Sequence, residues 1–198
     1  MPIDATPINL TNHFLIAMPG LEDESFSRSV VYLCEHSERG ALGLIINKPT
    51  DISLRKLFDK VDLSLGRADL GDDLVFQGGP VQTERGFVLH DPMWVQEADE
   101  ESIYASTMMI PGGLEMTTSK DVLEALAEGA GPRRVLVTLG YASWGEGQLE
   151  SELAENSWLT VGADQSVIFE TPAEQRYDRA LGLLGLQTWM LSPEAGHA

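Results

Sequence analysis

Residues 28–49, RSVVYLCEHSERGALGLIINKP, constrain the fold of this chain more than any other part of the sequence. Two apolar runs, residues 30–33 and 44–46, flank the polar segment 37–40. That order predicts a β-hairpin with a four-residue loop. Neither run alternates between apolar and polar residues, which is typical of strands that are covered on both faces. We therefore expect this hairpin to lie at the centre of the fold.

The charge balance disfavours two classes of partner. The chain of 198 residues has 13 basic and 31 acidic side chains, a formal net charge of -18. Non-specific binding to nucleic acids depends on basic side chains that displace counterions from phosphates. An acidic surface repels both nucleic acids and anionic membranes. We therefore expect neither nucleic acid nor membrane as a partner.

Cysteine usage and the first residues of the chain indicate a cytoplasmic protein. The single cysteine, Cys34, cannot form an internal disulfide. The N-terminal residues do not show a basic segment followed by an apolar run, so we expect no signal peptide. No apolar stretch approaches the ~20 residues that a membrane span needs. The sequence thus predicts a soluble protein of the cytoplasm.

The remaining chain mixes strand and helix patterns without strict alternation. Apolar runs predict strands at residues 13–18, 74–76, 86–90, 103–110 and 134–139, and a terminal hairpin that joins 158–161 to 167–169. Helical spacing predicts helices after Pro49 with Asp51 or Ser53 as the cap, from Thr118, over 145–156, and from a capping box at Thr171 that leads into the apolar stripe of Tyr177, Ala180, Leu181 and Leu184. These patterns predict an α+β fold with a mixed, mostly antiparallel sheet and helices packed on it.

The chain shows no repeats and no linker of low complexity. We therefore expect a single domain over residues 1–198, with an extended arm at 1–11 and a loose tail at 192–198. An acidic loop at residues 91–102 is expected to be anchored by Trp94.

Residues near two glycine turns form the candidate ligand site. They are Asn47, Lys48, Gly78, Gly79, Arg85 and His90. Successive glycines can expose backbone N–H groups to an anion, and the four side chains would add an amide and cations. If the strands bring these residues together, they predict a small pocket for a carboxylate or phosphate group. The alternative is that the glycines serve only turn geometry, since no P-loop or dinucleotide fingerprint follows them.

Two candidate nucleophiles lack the surroundings that catalysis needs. Cys34 and His36 would share a face of a strand, and a histidine can activate a thiol. Their side chains would be rooted ~6.6 Å apart, although a nucleophile and its base need about 3 Å. A buried core thiol is therefore the favoured interpretation. Ser143 lacks the first glycine of a nucleophile elbow, because Tyr141 occupies that position, and it is interpreted as a residue that begins a helix.

The sequence predicts no metal site and no cofactor. Its four histidines show no paired spacing of the kind that binds zinc. The acidic runs at residues 22–24 and 99–101 have no calcium-loop pattern.

Several stretches of the chain together resemble the YqgE/AlgH family of bacterial proteins. They are FLIAMP, the hairpin quoted above, GGPV with RGFVLH, SKDVLEALAEGAGP and LGYASWGEGQLESELAENSWL, within residues 13–186. The resemblance implies an α+β domain whose sheet is bent into a partial barrel, in a cytosolic bacterial protein. It implies no known reaction and no catalytic residues, and the family's name suggests a link to transcriptional regulation of alginate synthesis.

One function is favoured and two alternatives stay open. The absence of a complete catalytic constellation favours a non-enzymatic binding or regulatory protein that acts through a protein or small-molecule partner. The first alternative is an enzyme or redox protein that uses the thiol of Cys34 or a cleft near Asn47, Lys48, Arg85 and His90. The second is a transcriptional regulator that binds DNA directly, which the net charge of -18 disfavours. The sequence predicts no oligomeric state.

Overall fold

The computed structural model describes residues 9–21, 23–93 and 104–191. Residues 1–8 of the arm predicted at 1–11, residues 94–102 of the predicted acidic loop with Trp94, and the tail at 192–198 lie outside the described residues. The strands are β1 (His13–Ala17), β2 (Val30–Ser37), β3 (Gly40–Ile45), β4 (Pro49–Ser53), β5 (Leu74–Gln77), β6 (Val81–His90), β7 (Thr107–Ile110), β8 (Leu114–Thr117), β9 (Val135–Trp144) and β10 (Trp158–Gly162). The α-helices are α1 (Leu54–Lys60), α2 (Asp121–Ala127), α3 (Gln148–Ala154), α4 (Gln165–Phe169) and α5 (Arg176–Gly182).

These strands form one mixed sheet that curls into a half-barrel, with the helices packed against it. The order along the sheet is β10-β1-β2-β3-β9-β6-β8-β7, and all these neighbours are antiparallel. Strand β5 joins β9 in parallel and pairs with β4 on its other side. The predicted α+β fold with a mostly antiparallel sheet is confirmed.

The hairpin of β2 and β3 is buried on both faces, as predicted. Tyr32 and Cys34 pack into one apolar cluster, whereas Val31 and Leu33 pack into a second cluster on the opposite face. All four side chains are at most 1% exposed. The predicted four-residue loop is wrong, because residues 37 and 40 pair with each other and leave a two-residue turn.

A third apolar cluster explains why the segment after β4 is helical. Leu54 and Phe58 on α1 face the core from one side, and Val122 and Leu126 on α2 do so beside them. This is the i, i+4 spacing that gives a helix one apolar face. The side chain of Ser53 accepts a hydrogen bond from the Lys56 amide, so Ser53 is the cap of α1.

The C-terminal part differs from the sequence prediction in two places. The predicted terminal hairpin is wrong: β10 pairs with β1, and residues 165–169 form α4. The Asp164 carboxylate accepts the Ser166 amide and so caps this short helix. Thr171 caps no helix, because its hydroxyl donates to the Ser166 carbonyl, and α5 begins after a 3-10 turn at Ala173–Gln175.

The middle of the chain contains more strand than the sequence pattern indicates. Strands β6 and β9 are both longer than predicted, and Ser143 lies within β9 instead of beginning a helix. Strand β8 was not predicted, and the predicted strand at 103–110 is reduced to β7 in its described part. Helix α2 begins at Asp121, whose carboxylate accepts the Ala105 amide and the Ser119 hydroxyl, so the capping box predicted from Thr118 is wrong.

Three glycines allow the chain to cross itself where β9 changes neighbours. A Cβ on Gly78 would lie 2.3 Å from the Gly140 carbonyl oxygen, and one on Gly140 would lie 2.5 Å from that of Gly79. A Cβ on Gly79 would lie 2.1 Å from the Tyr141 carbonyl carbon. Beyond this crossing β9 continues beside β3, so the glycines join the two halves of the sheet by direct backbone contact.

A Gly78→Ala substitution is expected to lower the free energy of unfolding by about 2 kcal/mol or more, because the methyl group would collide with backbone of β9. Gly86→Ala is the matched control, since its Cβ meets nothing within 4 Å, and we expect a change within about 0.5 kcal/mol. Urea unfolding of both variants measures the difference. Equal stability of the two variants would contradict the proposed crossing.

Candidate functional site

A cleft of about 290 Å³ lies where the end of the hairpin, β5, the start of β9 and the segment from α4 to α5 meet. Apolar and charged side chains line it together, and polar atoms make up the larger part of its accessible surface. The apolar side chains include Leu54, Leu74, Phe76, Leu136 and Ile168. The charged ones are Asp72, Asp73, Glu174 and Arg176. A concave apolar surface with a few convergent polar groups is typical of ligand sites.

Arg176 is the buried charge of this cleft, with only 7% of its surface exposed. Its Nε donates to the Thr171 carbonyl at 2.9 Å, and its Nη1 donates to the Ile46 carbonyl at 2.5 Å. The guanidinium carbon lies 4.8 Å from the centre of the Phe76 ring, which supports one face of the group. These contacts fix the guanidinium plane. Its Nη2 has no hydrogen-bond partner among the described residues.

The surroundings of Arg176 leave its charge uncompensated by an ion pair. Burial lowers the pKa of Arg176 to about 10, although Asp73 and Glu174 act in the opposite direction. The group is therefore protonated at neutral pH. Within the described ranges, none of the ion pairs includes Arg176. Because no carboxylate is in contact with this buried cation, a ligand carboxylate that reached its free nitrogen would form a charge-assisted hydrogen bond there.

The helical spacing of residues 176–181 indicates that Arg176 is buried, which the sequence-based prediction did not recognise. Arg176 lies four residues before Ala180, and the side chains of Tyr177, Ala180 and Leu181 are buried. Positions i and i+4 share a helix face, so the pattern places Arg176 on the buried side. The predicted stripe included Leu184 instead, which is 38% exposed and lies beyond the end of α5.

The side chains of Asn47 and Lys48, two residues of the predicted site, form hydrogen bonds with backbone groups of the same protein. The Asn47 side chain accepts the Val30 amide and donates to the Arg28 carbonyl, both at 2.9 Å. Lys48 Nζ donates to the Ser25 carbonyl at 2.9 Å, and burial lowers its pKa. Both side chains thus tie the hairpin to the loop before β2. They lie next to the cleft in sequence, but neither lines it.

The two glycines of the predicted site serve the strand crossing. The Gly78 amide donates to the Leu139 carbonyl at 2.9 Å, so it does not offer its N–H to an anion. The Gly78 carbonyl accepts the Ile45 amide and so joins the hairpin to the end of β5. Gly79 lies directly against Tyr141.

Arg85 and His90 lie at different places along β6, ~16 Å apart for five residues of strand. Nη1 of Arg85 approaches the Gln82 side-chain oxygen at 3.4 Å in a separate surface groove. His90 is fully buried, and burial lowers its pKa. Its Nδ1 donates to the Asp91 carbonyl and its Nε2 accepts from the Thr117 hydroxyl, both at 2.7 Å. The structure therefore does not bring the six predicted residues into one pocket.

A β-bulge separates Cys34 from His36. The register with β3 shifts between Leu33 and Glu35, so one extra residue is accommodated at Cys34. Cys34 packs into the cluster that contains Tyr32, whereas His36 turns to the opposite face and hydrogen-bonds the Leu10 amide. The prediction that the two side chains share a face is wrong for this reason. Burial raises the pKa of the Cys34 thiol.

The described residues contain neither a cluster of metal-binding side chains nor a helix that could span a membrane. In residues 9–21, 23–93 and 104–191, no group of three or more His, Cys, Asp or Glu side chains is placed to hold a metal ion. No helix in those ranges is long and apolar enough to cross a membrane.

Comparison with known proteins gives consistent matches over nearly the whole chain. A family model described as AlgH-like matches residues 14–189. UPF0301 proteins of Acidovorax sp. and Delftia acidovorans are 83% and 77% identical to this chain, with full coverage of both chains. The solution structure of the AlgH protein from Pseudomonas aeruginosa is 44% identical, with a TM-score of 0.75 over 98% of each chain.

A more distant structure shares the fold alone. The crystal structure of a protein from Corynebacterium diphtheriae is 20% identical, with a TM-score of 0.67. The match covers 87% of this chain and 85% of the chain from Corynebacterium diphtheriae.

The thiol of Cys34 is expected to react slowly in the folded protein. The side chain is 1% exposed, and burial raises the pKa of the thiol. Little thiolate is therefore present at a pH near about 8.5, the ordinary pKa of a cysteine. The rate of labelling with a thiol reagent, followed at pH values on both sides of that ordinary pKa, measures the effect. The urea-unfolded protein is the control. Labelling of the folded protein at the unfolded rate would show that Cys34 is accessible.

Glu150 is expected to contribute an acid-sensitive part of the stability. Its Oε1 lies 2.6 Å from Nε2 of His36, and this hydrogen bond lowers the pKa of Glu150. The contribution is present above the unfolded value of about 4.3 and is lost as pH falls through the lower folded value. Thermal unfolding should therefore show a smaller acid-induced fall in Tm for Glu150→Gln than for the wild type. Glu146→Gln, at an exposed position before α3, should leave the fall unchanged.

Proposed function

This chain belongs to the AlgH-like family, and we propose that it is a non-enzymatic binding protein whose small-molecule ligand enters the cleft beside Arg176. The observation that carries the proposal is the buried guanidinium of Arg176. Two of its nitrogens are held by backbone carbonyls, and the third has no partner among the described residues. A cleft that holds a positioned cation beside apolar side chains has the main requirement for recognising a charged ligand.

The chemistry of the cleft supports binding more than catalysis. Its charged groups are one guanidinium and three carboxylates, and no cysteine, histidine or serine is among its described lining residues. The thiol of Cys34 is buried in the core cluster, which weighs against the redox alternative. The net charge of -18 weighs against direct DNA binding. We propose that binding takes place in the bacterial cytoplasm, within a single domain.

The test uses backbone amide resonances of the isotope-labelled full chain. A small-molecule extract of bacterial cytoplasm should shift the amides of Phe76, Leu136 and Ile168, which line the cleft. The shifts should be absent in Arg176→Gln. They should persist in Arg179→Gln, which removes an exposed guanidinium from the same helix.

Folding is controlled separately, because Arg176→Gln also loses two hydrogen bonds to backbone. Retained dispersion of the amide spectrum identifies a folded variant, and a folded variant that still shows the cleft shifts contradicts the proposal. Cleft resonances that do not move with any fraction of the extract also contradict it. These outcomes concern the use of the cleft and are independent of which ligand occupies it.

A further inference from the structure

The geometry points to a free α-amino acid with an apolar side chain as the ligand of the cleft, an inference that rests on the proposed function. The cleft holds charges of both signs beside apolar side chains, at a volume of about 290 Å³. That volume is just below the range for small-molecule sites, which is about 300–1,000 Å³. It suits a ligand of amino-acid size.

Arg176 provides the position for the ligand's carboxylate. Its Nε and Nη1 are committed to the carbonyls of Thr171 and Ile46, so Nη2 is the nitrogen that remains for a ligand. The backbone contacts and the Phe76 ring hold the group in place before the ligand arrives. Charge-assisted hydrogen bonds from a guanidinium to a carboxylate are among the stronger ones in proteins.

The acidic side chains of the cleft provide the position for an ammonium group. Asp73 and Glu174 both act electrostatically on Arg176. Neither forms an ion pair with it, because the described ion pairs with an N–O distance within 4.0 Å involve other residues. The cation and the carboxylates therefore face one cleft without neutralising each other by contact.

A zwitterion is the ligand that matches this separation of charge. A simple anion would pair with Arg176 but would also meet the carboxylates of Asp72, Asp73 and Glu174. A simple cation would pair with the carboxylates but would be repelled by Arg176. An α-amino acid carries its carboxylate and ammonium on one carbon, so it can contact both kinds of group at once. Burial strengthens the interaction with Arg176, since opposite charges attract more in a medium of lower dielectric constant than water. The three carboxylates are exposed, so each attracts the ammonium group less strongly.

The apolar residues of the lining favour an apolar side chain. Leu54, Leu136 and Ile168 are nearly buried, whereas Leu74 is 40% exposed and offers aliphatic surface beside the charged groups. A polar side chain would lose its hydration there without a hydrogen-bonding partner, which costs free energy. An aliphatic side chain such as that of leucine gains from leaving water.

The decisive experiment titrates the wild-type protein with three probes and follows the cleft amides by NMR. The probes are L-leucine, isocaproate, which lacks the ammonium group, and L-leucinamide, which lacks the carboxylate. L-leucine should produce saturable shifts at Phe76, Leu136 and Ile168. The two singly charged probes should bind about ten-fold to a hundred-fold more weakly, the usual cost of losing one charged hydrogen bond.

Substitutions identify which group each end of the ligand contacts. Asp73→Asn should weaken L-leucine by about two-fold to five-fold, as for an ion pair at an exposed carboxylate, and should not weaken isocaproate, which has no ammonium group. Asp59→Asn is the matched control, because it removes one exposed carboxylate on α1 outside the cleft lining, and it should change neither affinity. Both variants change a surface carboxylate, so they leave the buried core intact.

Three results would overturn the inference. Isocaproate that binds as tightly as L-leucine would show an anion site, and leucinamide that does so would show a cation site. Cleft amides that respond to a cytoplasmic extract but not to L-leucine would refute the amino acid and leave the proposed function standing. Cleft amides that respond to neither would refute both proposals.

Discussion

The close approach of backbone at three glycines is the constraint on which the rest of the structure depends. At Gly78, Gly79 and Gly140 the chain passes within distances that no side chain would permit. Because of this crossing, β9 can pair with β5 and β6 along its first half and with β3 along its second half. The sheet can then curl into a half-barrel instead of ending at β3. The Ile45 amide also donates to the Gly78 carbonyl, so the central hairpin is tied to the same point.

The cleft is a geometric consequence of that crossing. Strands β5 and β9 pair in parallel only over a short register, with Phe76 opposite Thr138. Towards their N-terminal ends, side chains of both strands line the cleft, from Leu74 on β5 and from Val135 on β9. Arg176 lies at the wall of this space and links α5 to the last residue before the hairpin exit, Ile46, by a hydrogen bond between residues 130 positions apart. The recognition that we propose would use the same side chain that stabilises the fold, since two of its nitrogens bind backbone carbonyls and the third has no partner among the described residues.

Sequence patterns predicted features that depend on neighbouring residues better than features that depend on residues far apart in the chain. Continuous apolar runs in residues 30–33 and 44–46 were enough to predict a hairpin covered on both faces, and the family resemblance predicted the bent sheet. The predicted ligand site did not assemble, because its residues are distributed over the hairpin exit, the glycine crossing, and the middle and the C-terminal end of β6. Apolar periodicity cannot distinguish a short buried helix from a strand, which is why residues 167–169 were predicted as a strand. The bulge at Cys34 and the hydrogen bond from Arg176 to Ile46 depend on distant residues, which local patterns do not show. Helical spacing alone indicates only that Arg176 lies on the buried face of α5.

The position of β9 in the chain also determines when folding can be completed during synthesis. Its partners β3, β5 and β6 are all synthesised before it, and the last strand, β10, closes on the first strand, β1. Until residue 144 has been made, the nascent chain exposes strand edges that have no partner. Such edges are sites of aggregation between chains. A large excess of negative charge makes emerging chains repel one another, which opposes contact between such edges while the sheet is incomplete.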